Sequence, residues 1–292
     1  VVKATTGTQI HEALCNRAAD DTPITIQVEG TINHGNTSKV SGDSCNTAAD
    51  KIELKEVSNI TIVGVGSGAT FDQLGIHLRA ASNVIIQNVT VKNVKKSGSP
   101  TSNGGDAIGM ESGVSNVWVD HVTLEASGGE SEGYDGLFDM KGDTNYVTLS
   151  YSVLRNSGRG GLVGSGDSDL GNGPVTYHHN LYENIDSRLP LLRGATAHIY
   201  NNHYVDIHES GITPAPAARR RWTTTTSRTP RTCSARSTPT CRATGSRREH
   251  LRQRHLVGAG HGQQPRRPEP DVHDVGQHPL RLLARRRRLR AR

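Results

Sequence analysis

The chain has 292 residues and a formal net charge of +6, but this total averages two unlike parts. Up to Ile212 there are 24 acidic residues against 14 Lys and Arg, a charge of −10, whereas residues 213–292 carry 4 acidic residues against 20 Arg, a charge of +16. The basic total therefore gives no support for a folded nucleic-acid-binding domain, and no stretch is long and apolar enough to span a membrane.

The first predicted element is a short amphipathic helix over residues 8–14, with Thr8 as a candidate N-cap. Residues 23–30, which begin at Pro23 and alternate apolar with polar side chains, predict the first strand. A solenoid exposes an apolar face at each end. We therefore assign the helix the role of covering the open end of a strand solenoid.

A single strand pattern recurs along the next part of the chain. Each copy alternates apolar residues and closes on Asn, Gly or His, at intervals of roughly twenty to thirty residues, as expected of a solenoid. The copies are NITIVG (59–64), NVIIQNVTV (83–91), NVWVDHVTL (116–124), NYVTLS (145–150), VTYHHNLY (175–182) and HIYNNHY (198–204). Long helix-period segments are missing between them, which argues against a doubly wound α/β fold and predicts a parallel β-helix.

The turns of this β-helix are predicted to carry ladders of stacked side chains. Asn88, Asn180 and Asn202 are expected at one register, where their amides would bond turn backbone groups from rung to rung. Three histidines, His121, His178 and His179, are interpreted as further ladder members rather than as a transition-metal site, and Trp118 as a core residue. Residues 95–103 and 126–133, rich in Gly, Ser and Glu, predict loops projecting from one edge, where binding residues usually gather.

Two cysteines lie in the repeat-bearing part. Cys15 and Cys45 would form either a disulfide that ties the predicted helix to the first rung, as in a secreted protein, or two buried thiols. The sequence opens on Val1 without a recognisable signal peptide, and removal of a leader is the expectation.

The strand pattern stops near Ile212, and beyond it there is no Lys, Asn, Ile, Tyr, Phe or Met. Residues 1–212 are therefore predicted to form the β-helix, and residues 213–292 a tail that does not fold by itself. The favoured interpretation is out-of-frame translation, because residues 222–233 and 248–256 can be back-translated into strand-like segments in another frame. The alternative is a natural disordered basic tail that binds polyanions.

Charged residues gather at the ends of the predicted strands. Three acids, Asp106, Asp135 and Asp139, are followed by arginines. Carboxylate oxygens suit Ca²⁺, and a guanidinium fork suits a substrate carboxylate. The pattern predicts a cation site beside an arginine cluster, with an acidic ligand held between them. The arginines are Arg159, Arg188 and Arg193.

The ordered set of motifs resembles the pectate lyases of polysaccharide lyase family 1, over residues 1–212. The motifs are GGDAI (104–108), NVWVDH (116–121), YDGLFDMKGD (134–143), VTLSYSVL (147–154), VTYHHNLYEN (175–184), SRLPLLRG (187–194) and HIYNNHY (198–204). This resemblance implies a secreted, right-handed parallel β-helix. It also implies that Asp106, Asp135 and Asp139 ligate Ca²⁺, that Arg188 takes the proton, and that Arg193, Arg159 and Lys141 bind substrate.

The implied reaction is Ca²⁺-dependent β-elimination of polygalacturonate by a monomeric enzyme that needs neither nucleic acid nor a membrane. Acidic residues at the implied metal positions favour pectate over methylated pectin. Two alternatives remain open at this point, a pectin lyase and a non-catalytic β-helix that binds acidic polysaccharide. Retention of Arg188 favours an enzyme, because binding alone requires no base.

Overall fold

Parallel strands stack into three walls in this computed structural model, which describes residues 1–215 and 222–225. One helix, α1 (Gly7–Cys15), precedes most of the strands. The strands are β1 Val2–Ala4, β2 Ile24–Ile32, β3 Ser41–Gly42, β4 Cys45–Asn46, β5 Ile52–Lys55, β6 Ser58–Asp72, β7 Ile76–Arg79, β8 Ser82–Gln87, β9 Val89–Lys92, β10 Ile108–Glu111, β11 Ser115–Asp120, β12 Thr123–Gly128, β13 Phe138–Met140, β14 Asn145–Ser150, β15 Val153–Arg159, β16 Leu162–Val163, β17 Val175–His178, β18 Leu181–Ser187, β19 Leu191–Leu192, β20 Ala197–Tyr200, β21 His203–Ile207, β22 Thr213–Pro214 and β23 Trp222–Thr225.

Each complete rung contributes one strand to each wall, as β10, β11 and β12 do. Wall A contains β8, β11, β14, β17, β20 and β23; wall B contains β9, β12, β15, β18 and β21; wall C contains β5, β7, β10, β13, β16, β19 and β22. The long strand β6 pairs with β8 through its first half and with β9 through its second half, so it joins walls A and B. The all-β, parallel β-helix prediction is confirmed.

Aligned aliphatic side chains fill the interior. In wall A, the register places Val84, Val117, Val147, Val175 and Ala197 in one line, and all five are buried. Alternation along each strand points these residues inward and their neighbours outward. Burial of each of the larger aliphatic side chains contributes roughly 1.5–3 kcal/mol. The repeated apolar pattern therefore stabilises the stack of rungs.

Trp118 departs from its predicted place in the core. It lies between the buried residues Val117 and Val119, so alternation turns its ring outward, and 43% of the residue is exposed. Its indole Nε1 donates a hydrogen bond to Ser150 Oγ on the next rung, at 2.9 Å.

The predicted asparagine ladder is present for two of its three members. Asn180 donates from Nδ2 to Asn202 Oδ1 at 2.9 Å, and Asn202 donates in turn to the carbonyl oxygen of Tyr177 at the same distance. Asn88 was wrongly placed with them. It follows Gln87, which pairs with Asp120, so Asn88 is level with His121 in a neighbouring column whose residues have positive φ.

The predicted stacking of the histidines is confirmed. His121 stacks on Tyr151 with ring centroids 5.4 Å apart, and Tyr151 stacks on His179 at 4.7 Å. His178 stacks on Tyr200 at 5.1 Å. These residues share positions on successive rungs, which brings their rings face to face at about the strand spacing.

Helix α1 covers one end of the solenoid, with Ile10 and Leu14 fully buried. Its N-cap is Thr6 rather than Thr8, because the Thr6 hydroxyl accepts the hydrogen bond from the backbone N–H of Gln9. Cys15 and Cys45 are joined in a disulfide with Cα atoms 4.8 Å apart. The bond ties α1 to the β3–β4 hairpin, not to a rung, because Cys45 lies in this antiparallel pair.

Regular strands continue beyond Ile212, contrary to the expectation for residues 213–292. Thr213–Pro214 pairs with β19, and Trp222–Thr225 pairs with β20. The open sheet edges offer unpaired backbone groups, and β-branched threonines favour the extended conformation. The interpretation of an out-of-frame tail otherwise falls outside the described residues and stays a prediction.

Within residues 1–215 and 222–225, no helix has the length and apolarity that a membrane crossing requires.

Candidate active site

Three positions of the candidate site lie level on successive rungs at the start of wall C. Ile108 pairs with Phe138, so Asp106 stands level with Gly136. A parallel bridge joins Gly136 to Arg159, and Arg159 pairs in turn with Ser187, the residue before Arg188. Strand pairing thus brings Asp106, Arg159 and Arg188 onto neighbouring rungs from segments far apart in the sequence.

Two of the predicted metal ligands form a carboxylate pair in which Asp139 is buried and Asp106 is half-buried, with its Oδ1 atom shielded from water. Burial, followed by the negative charges of Asp139 and Asp135, raises the pKa of Asp106 well above its usual value. Burial and the charge of Asp135 raise the pKa of Asp139 to about 6. Asp139 Oδ1 accepts a hydrogen bond from the Leu162 backbone N–H at 3.0 Å. Two acids held together away from water require a compensating positive charge to remain ionised.

Gly136 makes room for the Asp139 carboxylate. A Cβ added at Gly136 would lie 2.2 Å from Asp139 Oδ1 and 2.7 Å from its Cγ. Any side chain at this position would therefore overlap the carboxylate. The glycine is needed here for close approach rather than for backbone freedom.

The third predicted ligand, Asp135, is turned toward cations. Its Oδ1 lies 3.0 Å from Arg159 Nη1, and its Oδ2 lies 3.4 Å from Lys96 Nζ. The negative charge of Asp135 raises the pKa of both Asp106 and Asp139. Within residues 1–215, however, no three acidic, histidine or cysteine side chains already converge as a metal-binding group.

The acidic residues fit a calcium ion by their chemistry. Asp106 Oδ1 is buried without any hydrogen-bond partner among the described residues. An unpaired buried carboxylate oxygen is costly and calls for a cation. Ca²⁺ takes carboxylate oxygens in flexible geometry. Asp106 and Asp139 would therefore supply ligands to such an ion, and Asp135 would add a third by releasing Arg159.

The side chain of Arg188 lies beside the acidic residues Asp139 and Asp135. In the described part of the chain its guanidinium makes no hydrogen bond and no ion pair. Burial, followed by the positive charge of Arg159, lowers the pKa of Arg188, while Asp139 and Asp135 act in the opposite direction. The backbone carbonyl of Arg188 accepts the Gly161 N–H at 2.7 Å, which fixes the start of this segment against the preceding rung.

The three predicted substrate-binding cations differ in their contacts. Arg159 is held by Asp135 and by Glu130. Arg193 Nη1 donates to the carbonyl oxygen of Ser165 at 2.8 Å. Lys141 Nζ lies 3.5 Å from Glu111 Oε2 and is 41% exposed. All three stand near enough to act electrostatically on the candidate site. Lys141 lowers the pKa of Asp106, and Arg159 and Arg193 lower the pKa of Arg188.

Sequence analysis missed the residues that surround these cations. Glu130 and Lys96 lie in the two loops predicted to project from one edge, and Lys96 Nζ bonds Glu130 Oε1 at 3.0 Å. His77 lies 3.6 Å from Glu111, and burial is the main cause that lowers its pKa to about 4. Only the Gly, Ser and Glu content of the loops signalled this environment, because loop residues follow no strand periodicity.

Comparison with known proteins identifies the family. The pectate lyase family model matches residues 2–219. The chain belongs to the pectate lyase family. It is 41% identical over 221 residues to the pectate trisaccharide-lyase of Bacillus licheniformis, a match that covers 75% of this chain and 60% of that protein. Pectate lyase C of Dickeya chrysanthemi is 38% identical over 170 residues, covering 55% of this chain and 43% of that protein.

Solved structures agree with this assignment. A pectate lyase from Bacillus sp. N165 in complex with trigalacturonate is 34% identical and superposes with a TM-score of 0.59, covering 70% of this chain and 63% of that one. Pectate lyase II from Xanthomonas campestris is 29% identical with a TM-score of 0.60, covering 73% and 66%. The described solenoid is thus a right-handed parallel β-helix, and the chain spans about three fifths of the length of the first relatives it matches.

Proposed function

We propose that this protein is a secreted, Ca²⁺-dependent pectate lyase that cleaves (1→4)-α-D-galacturonan by β-elimination. One observation carries the proposal: the Arg188 guanidinium has no hydrogen-bond or ion-pair partner in the described part of the chain and stands beside the buried Asp139. Family membership supports the reaction class, and the Cys15–Cys45 disulfide supports an oxidising compartment.

In the proposed reaction Arg188 removes the proton from C5 of a galacturonate residue. The C5–H electrons form the C4=C5 double bond, and the C4–O bond breaks with its electron pair leaving on the glycosidic oxygen, which then takes a proton from water. Free guanidinium hardly ever loses its proton. Burial and the neighbouring Arg159 favour the neutral base at Arg188, in the direction that proton abstraction requires.

The remaining residues would bind and orient the polymer. Asp106, Asp135 and Asp139 would hold Ca²⁺, which when bound neutralises the substrate carboxylate and increases the acidity of C5–H. Arg193, Arg159 and Lys141 supply cations along the same edge for the carboxylates of the sugar chain. The proposed partner is polygalacturonate, bound by a monomer.

Activity on polygalacturonate tests this proposal through the new ultraviolet absorbance of the unsaturated products. We expect a chelator to abolish this absorbance and added Ca²⁺ to restore it. Cleavage that survives chelation and prefers methylated pectin would identify a pectin lyase instead. Binding of polygalacturonate without any product would identify a non-catalytic polysaccharide-binding protein.

A further inference from the structure

The carboxylate of Glu130 bridges two cations beside the proposed catalytic site. Its Oε1 lies 3.0 Å from Lys96 Nζ, and its Oε2 contacts Arg159 Nη2. Arg159 also bonds Asp135, so one arginine joins a predicted metal ligand to a loop residue that has no predicted role. The hydrogen bond from Lys96, followed by the charge of Arg159, lowers the pKa of Glu130, which is therefore ionised at neutral pH.

Two loops hold Glu130 in this position. Glu130 begins a short 3₁₀ turn, Glu130–Glu132, in which the Glu132 carboxylate accepts the Gly129 N–H at 2.8 Å. The neighbouring loop is fastened to this turn, because the Lys96 N–H donates to the carbonyl oxygen of Gly133 at 2.9 Å. These backbone contacts hold the two loops together and keep Lys96 beside Glu130.

We propose that Glu130 is an internal competitor of the substrate, whose carboxylate occupies Lys96 and Arg159 until a uronate carboxylate displaces it. The inference rests on the proposed function, which supplies a polymer with one carboxylate on each unesterified sugar. Glu130 presents the same chemical group with the same charge. Its side chain is 52% exposed, so it returns to water without leaving a buried charge behind.

This competition affects free and esterified sugars differently. A free uronate carboxylate replaces the ionic contacts that Glu130 gives up. A methyl ester carries no charge, so it cannot replace these contacts and leaves Glu130 in place. Specificity is a difference between two affinities, and here only the affinity for the free carboxylate includes the cost of displacing Glu130. Glu130 therefore weakens the binding of unesterified chains and leaves the binding of methylated sugars unchanged.

Glu130→Gln tests the inference, with Glu125→Gln as the matched control. Glu125 also forms a Glu–Arg pair, with Arg155 at 2.6 Å, in wall B. The measurements are KM on polygalacturonate and the dissociation constant of trigalacturonate by calorimetry, both with Ca²⁺ present. Because each exposed ion pair has a modest free energy, we expect Glu130→Gln to lower both constants about two- to tenfold. Glu125→Gln should leave them unchanged.

A second substrate separates competition from a structural role. On highly methylated pectin, the gain from Glu130→Gln should be absent. A residue that only stabilises the loop would instead raise KM on both substrates and lower the melting temperature. Constants for Glu130→Gln that equal or exceed those of Glu125→Gln would overturn the inference while leaving the lyase proposal intact. A parent protein that neither binds nor cleaves polygalacturonate would overturn the lyase proposal itself, and the inference with it.

Discussion

Gly136→Ala should weaken Ca²⁺ binding although it removes no ligand. The new Cβ would lie 2.2 Å from Asp139 Oδ1, whereas Cβ atoms essentially never approach other atoms within 3.0 Å. The carboxylate must therefore retreat by about 0.8 Å, which exceeds the roughly 0.3 Å range of Ca²⁺–oxygen distances in proteins. Displacing one ligand in this way should reduce the Ca²⁺ affinity by about 10- to 100-fold, as for other groups that orient metal ligands.

Gly166→Ala is the matched control, because a Cβ at Gly166 meets no atom within 4 Å and its φ lies outside the left-handed region. Calorimetric titration with Ca²⁺ gives the affinity of each variant, and thermal unfolding shows whether each remains folded. We expect Gly166→Ala to bind Ca²⁺ like the parent protein. A folded Gly136→Ala variant with the affinity of Gly166→Ala would refute the assignment of Asp139 as a ligand.

Two further predictions concern catalysis and pH. Arg188→Lys should lower kcat about 10²-fold or more with little change in Ca²⁺ affinity, because it removes the proposed base and no ligand; near-normal turnover would mean that another group takes the proton. His77 has a pKa of about 4 in the folded protein against a usual 6.5. As the pH falls, His77 takes up a proton in the unfolded chain at a higher pH than in the folded protein. His77 therefore contributes stability that is complete above pH 6.5 and is lost as the pH falls toward 4. Urea midpoints at pH 7 and pH 5 should differ less in His77→Gln than in the parent, and an equal difference would contradict this role.

Periodicity made the fold predictable. Alternating apolar residues such as Val117 and Val119 turn inward on every rung, so a repeated pattern was enough to indicate a solenoid. The pattern did not fix side-chain columns, because a shift of one residue changes the column. Asn88 was therefore placed beside Asn180 although it is level with His121. Alternation would also have turned Trp118 outward, but its size and apolar ring suggested the core.

The candidate site was predictable only in part. The order of motifs indicated Asp106, Asp139 and Arg188, which lie within or just before strands of wall C on different rungs. The partners of these residues depend on loop conformation, which follows no periodic signal. The contact of Glu130 with Arg159 is one such feature, because Glu130 lies in a short 3₁₀ turn outside the strand pattern.

The row formed by Asp106, Gly136 and Arg159 has a geometric consequence. Neighbouring parallel strands lie roughly 4.8 Å apart, so strand pairing sets the spacing of these backbone positions along the axis. An insertion in a connecting loop leaves this spacing intact, because the hydrogen bonds between rungs fix it independently of loop length. Loops on this scaffold can therefore change in length while the distances between these backbone positions stay constant.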